Sequence, residues 1–306
     1  MMKEVISLIE KEHAMFEWVS TMLKAFIFSL LASLGFVSNT SVQKISSIHE
    51  IKSQLESVSQ ETLVVFDVDG TLTYKAANII FQPWFRKTEV GKKFWAQLIK
   101  HGESQEDPLD FKLNVLTKRM INNVDQPIEP GVVNLIKTLQ ERGLTVIALT
   151  HCITGFVGGT LMQKLRYEKL LEVGIDFSSS FEQQEIIFDD LTSLRGCHRG
   201  RHPMFYKGIL LTDAFAKGPV LGKFLDVMKL KPKKVIFFDD NESYVKSVQE
   251  EMEKRGIIFK GFVYRAIDTL PPQDFDQKIL DYQLKYLKEH DEIISDKEAR
   301  EAVYQK

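Results

Sequence analysis

The chain has 306 residues, a formal net charge of −2 and 44% hydrophobic residues, which excludes a disordered chain and gives no sign of the basic excess of a nucleic-acid binder. That length builds one large domain, or a core domain with a small accessory lobe. Its two cysteines, Cys152 and Cys197, exclude a disulfide framework and a Cys-based zinc site, while one disulfide between them stays open outside the cytosol.

Lys24 is followed by Ala25 to Val37, a charge-free run of apolar and small residues. At roughly a dozen residues it suits a signal-peptide h-region better than a membrane span. Glu4, Glu10, Glu12 and Glu17 precede it, and signal peptides do not start that way, so translation is read as starting at Met22. Residues 1–45 are then an extension with a signal-like segment at 22–41. The expected mature protein starts between Ser38 and Ser46 and is exported, periplasmic or secreted, without a stable membrane anchor. The alternative is a cytoplasmic chain with an amphipathic or buried helix there.

The pattern predicts a helix over 46–61 and a short buried strand, Leu63 to Phe66. Residues 74–129 contain no convincing buried strand and read as a helical insertion. Its helical patches are Val90–His101 and Phe111–Asn122, and Phe81, Trp84, Phe85, Phe94 and Trp95 form an aromatic cluster. Those aromatics either cover a site or form the lobe's own core. A helix from Pro130 to Arg142 stops at Gly143, and strand Leu144–Leu149 follows. Next come a helix from Gly158 to Val173, strands Glu185–Phe188 and Met204–Leu211 around a basic loop, and helix Lys217–Lys229. Strand Val235–Phe238, helix 243–255, a strand near Ile257–Tyr264 and a helical tail over 271–306 complete the chain. Strands alternating with helices indicate an α/β fold with a parallel sheet. In such sheets ligands bind beyond the carboxyl ends of the strands. The core is assigned to 46–73 and 130–270.

Four segments carry chemistry. Asp67-Val68-Asp69-Gly70-Thr71 follows the first buried strand. Residues i and i+2 of an extended stretch point the same way, so both carboxylates can face one site. Crowded carboxylates repel and call for a cation, and oxygen ligands suit Mg²⁺. Thr150 ends a strand, where its hydroxyl can donate to a phosphoryl oxygen; His151 follows it. Lys217 opens a helix in Lys217-Gly218-Pro219-Val220-Leu221, with Lys223 as its rival. Asp239-Asp240-Asn241 repeats the first pattern after Val235–Phe238.

In this order the four segments resemble the motifs of the haloacid dehalogenase superfamily over residues 62–265. Tyr206 to Leu210 adds a resemblance to a sparsely characterised branch with exported members in intracellular bacteria. The resemblance implies a Rossmann-like three-layer α/β/α sheet with a small helical cap at 74–129. It implies Asp67 as the nucleophile that forms an aspartyl-phosphate and Asp69 as general acid and base. Thr150 and Lys217 would assist, with Asp67, the Asp69 carbonyl and Asp240 on Mg²⁺, and Asp239 behind them. Asn241, Glu242 or Ser243 would orient the metal's waters.

The expected activity is hydrolysis of a phosphorylated small molecule or phosphoprotein. A secreted binding or effector protein on the same scaffold and a phosphomutase are the alternatives. The loop Arg195 to His202 could hold an acidic substrate or be a solvated turn. Neither the substrate nor the oligomeric state is legible.

Overall fold

A computed structural model describes residues 40–76, 78–191 and 201–305. Most of the signal-like segment, residues 192–200 of the basic region and any pairing of Cys197 lie outside the described residues. Among those described, no helix is long and apolar enough to cross a membrane.

The apolar runs become the strands of an eight-stranded sheet. In chain order these are β1 (Ser41–Ile45), β2 (Thr62–Phe66), β3 (Thr145–Thr150), β4 (Glu185–Ile187), β5 (Met204–Tyr206), β6 (Ile209–Leu211), β7 (Lys234–Asp239) and β8 (Ile258–Tyr264). Their spatial order is β1-β8-β7-β2-β3-β6-β5-β4. All neighbours from β1 to β6 are parallel, and β5 and β4 join antiparallel at one edge.

Every residue of β2 is buried, because both faces of the sheet are covered. Val64, Phe66, Ala148, Ile236 and Phe238 pack with helices α3 (Val132–Glu141) and α4 (Met162–Glu172). Leu63, Val65, Ile147, Leu149 and Phe237 pack with α5 (Lys217–Val227) and α6 (Glu242–Lys254) on the other side. The fold is therefore α/β, a mostly parallel sheet between two helical layers. Phe66, Phe238 and Phe262 lie in register on adjacent strands. Their rings stack at 4.7 and 4.9 Å, and each such pair contributes about 0.5–1.5 kcal/mol beyond its buried area.

Several local expectations differ from the structure. The helix expected from Gly158 begins at Met162, after a hairpin of Phe156–Val157 with Thr160–Leu161. The core was expected to begin at residue 46, yet Ser41–Ile45 already pairs with β8. This edge strand is exposed except at Ile45, so no apolar run announces it. Residues 46–61 form only a 3₁₀ turn, Ile48–Ile51, and a short helix, Lys52–Glu56. The single strand expected over Met204–Leu211 is a hairpin. Lys207 and Gly208 both take positive φ, 47° and 82°, the geometry of a two-residue turn between antiparallel strands.

The insertion leaves and rejoins the core through a two-stranded ribbon, Thr73–Lys75 against Asp125–Pro127. Between them lie α1 (Glu89–Glu103) and α2 (Pro108–Ile121). Phe85, Phe94, Phe111 and Val115 form the lobe's own core, shared with Leu280 and Leu287 of α7 (Gln277–His290) and with Ile293. The last helix, α8 (Asp296–Tyr304), packs Ala299 against Ile279 of α7. Most of the aromatic cluster is thus lobe core: Trp84 meets Phe85 edge-on, and Trp95 donates to the Ile80 carbonyl at 2.9 Å. Phe81 is buried in that core and also lines a cavity above the sheet.

Candidate active site

Strands β2 and β7 are neighbours and parallel, so Asp67, one residue beyond β2, stands beside Asp239, the last residue of β7. The loop after β2 folds back over them. Gly70 takes φ of +91°, and a Cβ there would lie 3.0 Å from an Asp240 carboxylate oxygen. The bare glycine therefore gives the Asp240 carboxylate its room. Thr71, fully buried, accepts the Asp240 N–H at 3.0 Å, and Arg265 donates to the Asp240 carbonyl at 2.9 Å.

Lys217, the first residue of α5, is fully buried and joins two of these acids. Its Nζ donates to Asp67 Oδ1 at 2.5 Å and to Asp239 Oδ2 at 2.6 Å. Burial alone would lower its pKa, but the Asp67 and Asp239 charges outweigh that and raise it, so the ammonium stays protonated. Lys223 instead pairs with Asp190, away from the acids.

Asp67, Asp239 and Asp240 each offer an oxygen, all within 4.8 Å of one another. Asp239 is committed twice, to Lys217 and, through Oδ1, to the Asn241 N–H at 2.8 Å. The Asp240 carboxylate and the second oxygen of Asp67 accept no hydrogen bond from any described residue. Burial and the neighbouring Asp67 charge push Asp240 up to about 7 and raise Asp239 as well. Like charges held this close favour a bound cation, and a donor set made only of oxygens fits a hard divalent ion.

Asp69 is held elsewhere. Arg166 donates to its Oδ2 at 2.5 Å and Oδ1 at 3.3 Å, and Lys75 Nζ lies 3.4 Å from Oδ1. Burial would raise its pKa, but the Arg166, Lys75 and Arg119 charges prevail and hold the carboxyl well below the usual range. Lys75 also pairs with buried Asp125 at 2.6 Å. Burial pushes the nearby Cys152 thiol up. Thr150 is buried at the end of β3, which neighbours β2. His151 Nδ1 lies 3.0 Å from Thr212 Oγ1. Asn241 caps α6 through the Ser243 N–H at 2.9 Å and the Ser243 hydroxyl at 2.7 Å.

The sequence reading missed Lys75, Arg86, Arg119 and Arg166. A cavity of about 190 Å³ is lined by Asp69, Thr73, Lys75, Phe81, Arg86, Arg119 and Asp240 among others, and it joins the acids to the lobe. Only Lys75 carried a signal, since its two-residue spacing from Thr73 puts both on one face of a strand. The arginines sit in helices with nothing local to mark them.

The arrangement is that of an α/β protein with an acidic, cation-attracting centre at the carboxyl edge of its sheet. The chain belongs to the family described as "Protein of unknown function (DUF2608)", which matches residues 44–300. It is 23% identical over 263 residues to a Chlamydia pneumoniae protein named "Putative outer membrane protein", covering 86% of this chain and 91% of that one. A Chlamydia trachomatis protein with the same description is 25% identical over 247 residues, 80% and 85% of the two chains. A Rickettsia bellii protein called uncharacterized is 22% identical over 261 residues, 81% and 85% of the two chains. No solved structure matches the chain.

Proposed function

We propose that this chain is a Mg²⁺-dependent phosphomonoester hydrolase of the haloacid dehalogenase type, with Asp67 as nucleophile. The observation that carries the reading is the meeting of Asp67, Asp239, Asp240 and Lys217 at the ends of two adjacent parallel strands. Asp239 holds Lys217, which in turn orients Asp67 Oδ1 and leaves the other oxygen to attack phosphorus. That attack forms an aspartyl-phosphate and releases an alkoxide, which takes a proton as it leaves; water then attacks the phosphorus and restores Asp67. Asp67 and Asp240 would hold Mg²⁺, which when bound would supply charge neutralisation for the phosphoryl oxygens.

Asp69 is the expected proton donor. An incoming phosphoryl group offers Arg166 and Lys75 a competing anion, which loosens their hold on Asp69 and raises its pKa towards the working range. The same pinned ion pair favours a second reading, an exported binding protein that retains its ligand without turning it over. A panel of phosphomonoesters separates the two. Release of inorganic phosphate that EDTA abolishes and Mg²⁺ restores supports the hydrolase; Mg²⁺-dependent binding without release supports the binder. Export fits the signal-like segment and the outer-membrane naming of the chlamydial relatives.

Mg²⁺ affinity should depend on pH. A bound cation requires Asp240 ionised, so with its pKa near 7 the affinity should rise about tenfold per pH unit up to that point and then level off. Calorimetric titration from about pH 5.5 to 8 measures this, and a flat profile would remove Asp240 from the ligand set. Without Mg²⁺ the linkage runs the other way. The unfolded value is about 3.9, so Asp240 weakens the fold as pH rises from there to about 7.

A further inference from the structure

We propose that the cavity between the acidic centre and the helical lobe is a subsite for a second anionic group, so that the substrate is a small phosphomonoester also carrying a carboxylate or another phosphate, read by Arg119. The inference rests on the hydrolase reading and adds the substrate class.

Three cations line the cavity, Lys75, Arg86 and Arg119, and Lys75 is already matched, as is Arg166 behind Asp69. Lys75 pairs with Asp125 and Asp69, and Arg166 with Asp69. Arg119 and Arg86 make no ion pair and no side-chain hydrogen bond with any described residue; each lies instead over an aromatic ring, Phe81 at 5.1 Å and Trp95 at 3.8 Å. Arg119 Nε is fully buried without a partner, and so is Thr73 Oγ1 on a residue with no exposed surface. Both residues line the cavity. Unmet buried donors of this kind cost stability unless something accepts their hydrogen bonds.

The charge state points the same way. Burial, with the Arg119 charge beside it, pushes Arg86 down to about 10. Burial also lowers Arg119, against the attraction of Asp69. An arriving anion would relieve both, and a planar guanidinium suits a carboxylate or phosphate. The cavity reaches Asp69 and Asp240 at one end, so one compact molecule can place its phosphoryl group at the acids and its second anion at Arg119. At about 190 Å³, the space is below the roughly 300–1,000 Å³ of ordinary small-molecule clefts. That suits a compact leaving group.

The test compares kcat/KM for phosphoglycolate, propane-1,3-diol bisphosphate and ethyl phosphate in the wild type and in Arg119→Gln. The wild type should prefer at least one compound with a second anionic group over ethyl phosphate, and Arg119→Gln should cut that preference at least about thirtyfold. Arg119→Lys should restore part of it. Which compound loses the preference tells whether carboxylate or phosphate is read. A ratio that the substitution leaves unchanged overturns the proposal. If the wild type hydrolyses none of the three, the hydrolase reading is left to the wider panel, and calorimetry with phosphoglycolate decides the subsite alone. Binding weakened tenfold or more by Arg119→Gln sustains it, and absent or equal binding overturns it.

Discussion

Asp67→Asn should lower phosphomonoester turnover by at least about a thousandfold, a loss of about 4 kcal/mol in transition-state stabilisation. The amide keeps the shape of the carboxylate and can still accept from Lys217, but its uncharged oxygen is too weak a nucleophile to take the phosphoryl group. The fold should survive. Lys217 keeps its bond to Asp239 at 2.6 Å, and the change removes one of the three crowded negative charges. Unfolding in denaturant should therefore occur at a midpoint no lower than that of the wild type. A folded variant with near wild-type phosphate release would show that the nucleophile lies elsewhere.

Lys217→Met should have the largest effect on stability. The ammonium is fully buried, and both carboxylates that it bridges are buried too. Met fills similar space without charge, leaving Asp67 and Asp239 facing each other inside the protein. Breaking a buried pair in this way costs about 3–5 kcal/mol at neutral pH. The sign with pH follows from the acids. Asp239 is already raised, and without the lysine it rises further above the unfolded value of about 3.9, so the variant regains stability as pH falls and that carboxylate protonates. Denaturant midpoints with EDTA, measured at about pH 5 and pH 8, check this. A variant as stable as the wild type at pH 8 would mean that Lys217 does not hold the centre together.

What the sequence disclosed and what it hid divide along a physical line. The centre of the sheet was legible because strands buried on both faces need unbroken apolar runs, and Leu63–Phe66 and Val235–Phe238 suit that role. Asp67, Asp239 and Asp240 were legible as the polar residues that end those runs. Lys217 and Lys223 could not be separated by pattern alone, since both lie in the same helix; only the fold puts one against Asp67 and the other against Asp190. The edge strand Ser41–Ile45 was hidden because an exposed edge needs few apolar residues. The ion pair of Arg166 with Asp69 joins residues 97 apart, a distance across which no periodicity carries information.

The helical lobe is sewn to the end of the chain as well as to its core. Leu280, Leu287 and Ile293 complete its apolar interior. Asn78 donates to the Ile294 carbonyl at 3.2 Å, the Ile79 N–H to Asp296 at 2.9 Å, and Asn122 to the Ile293 carbonyl at 3.3 Å. A lobe hinged only on the ribbon Thr73–Lys75 and Asp125–Pro127 could swing freely, whereas this one carries α7 and α8 as ballast. Widening the cavity by moving the lobe means moving α7 with it or peeling the two apart, which exposes the apolar surface between them. On the hydrolase reading, the passage of substrate and product would thereby be coupled mechanically to a segment some 200 residues downstream of Asp67.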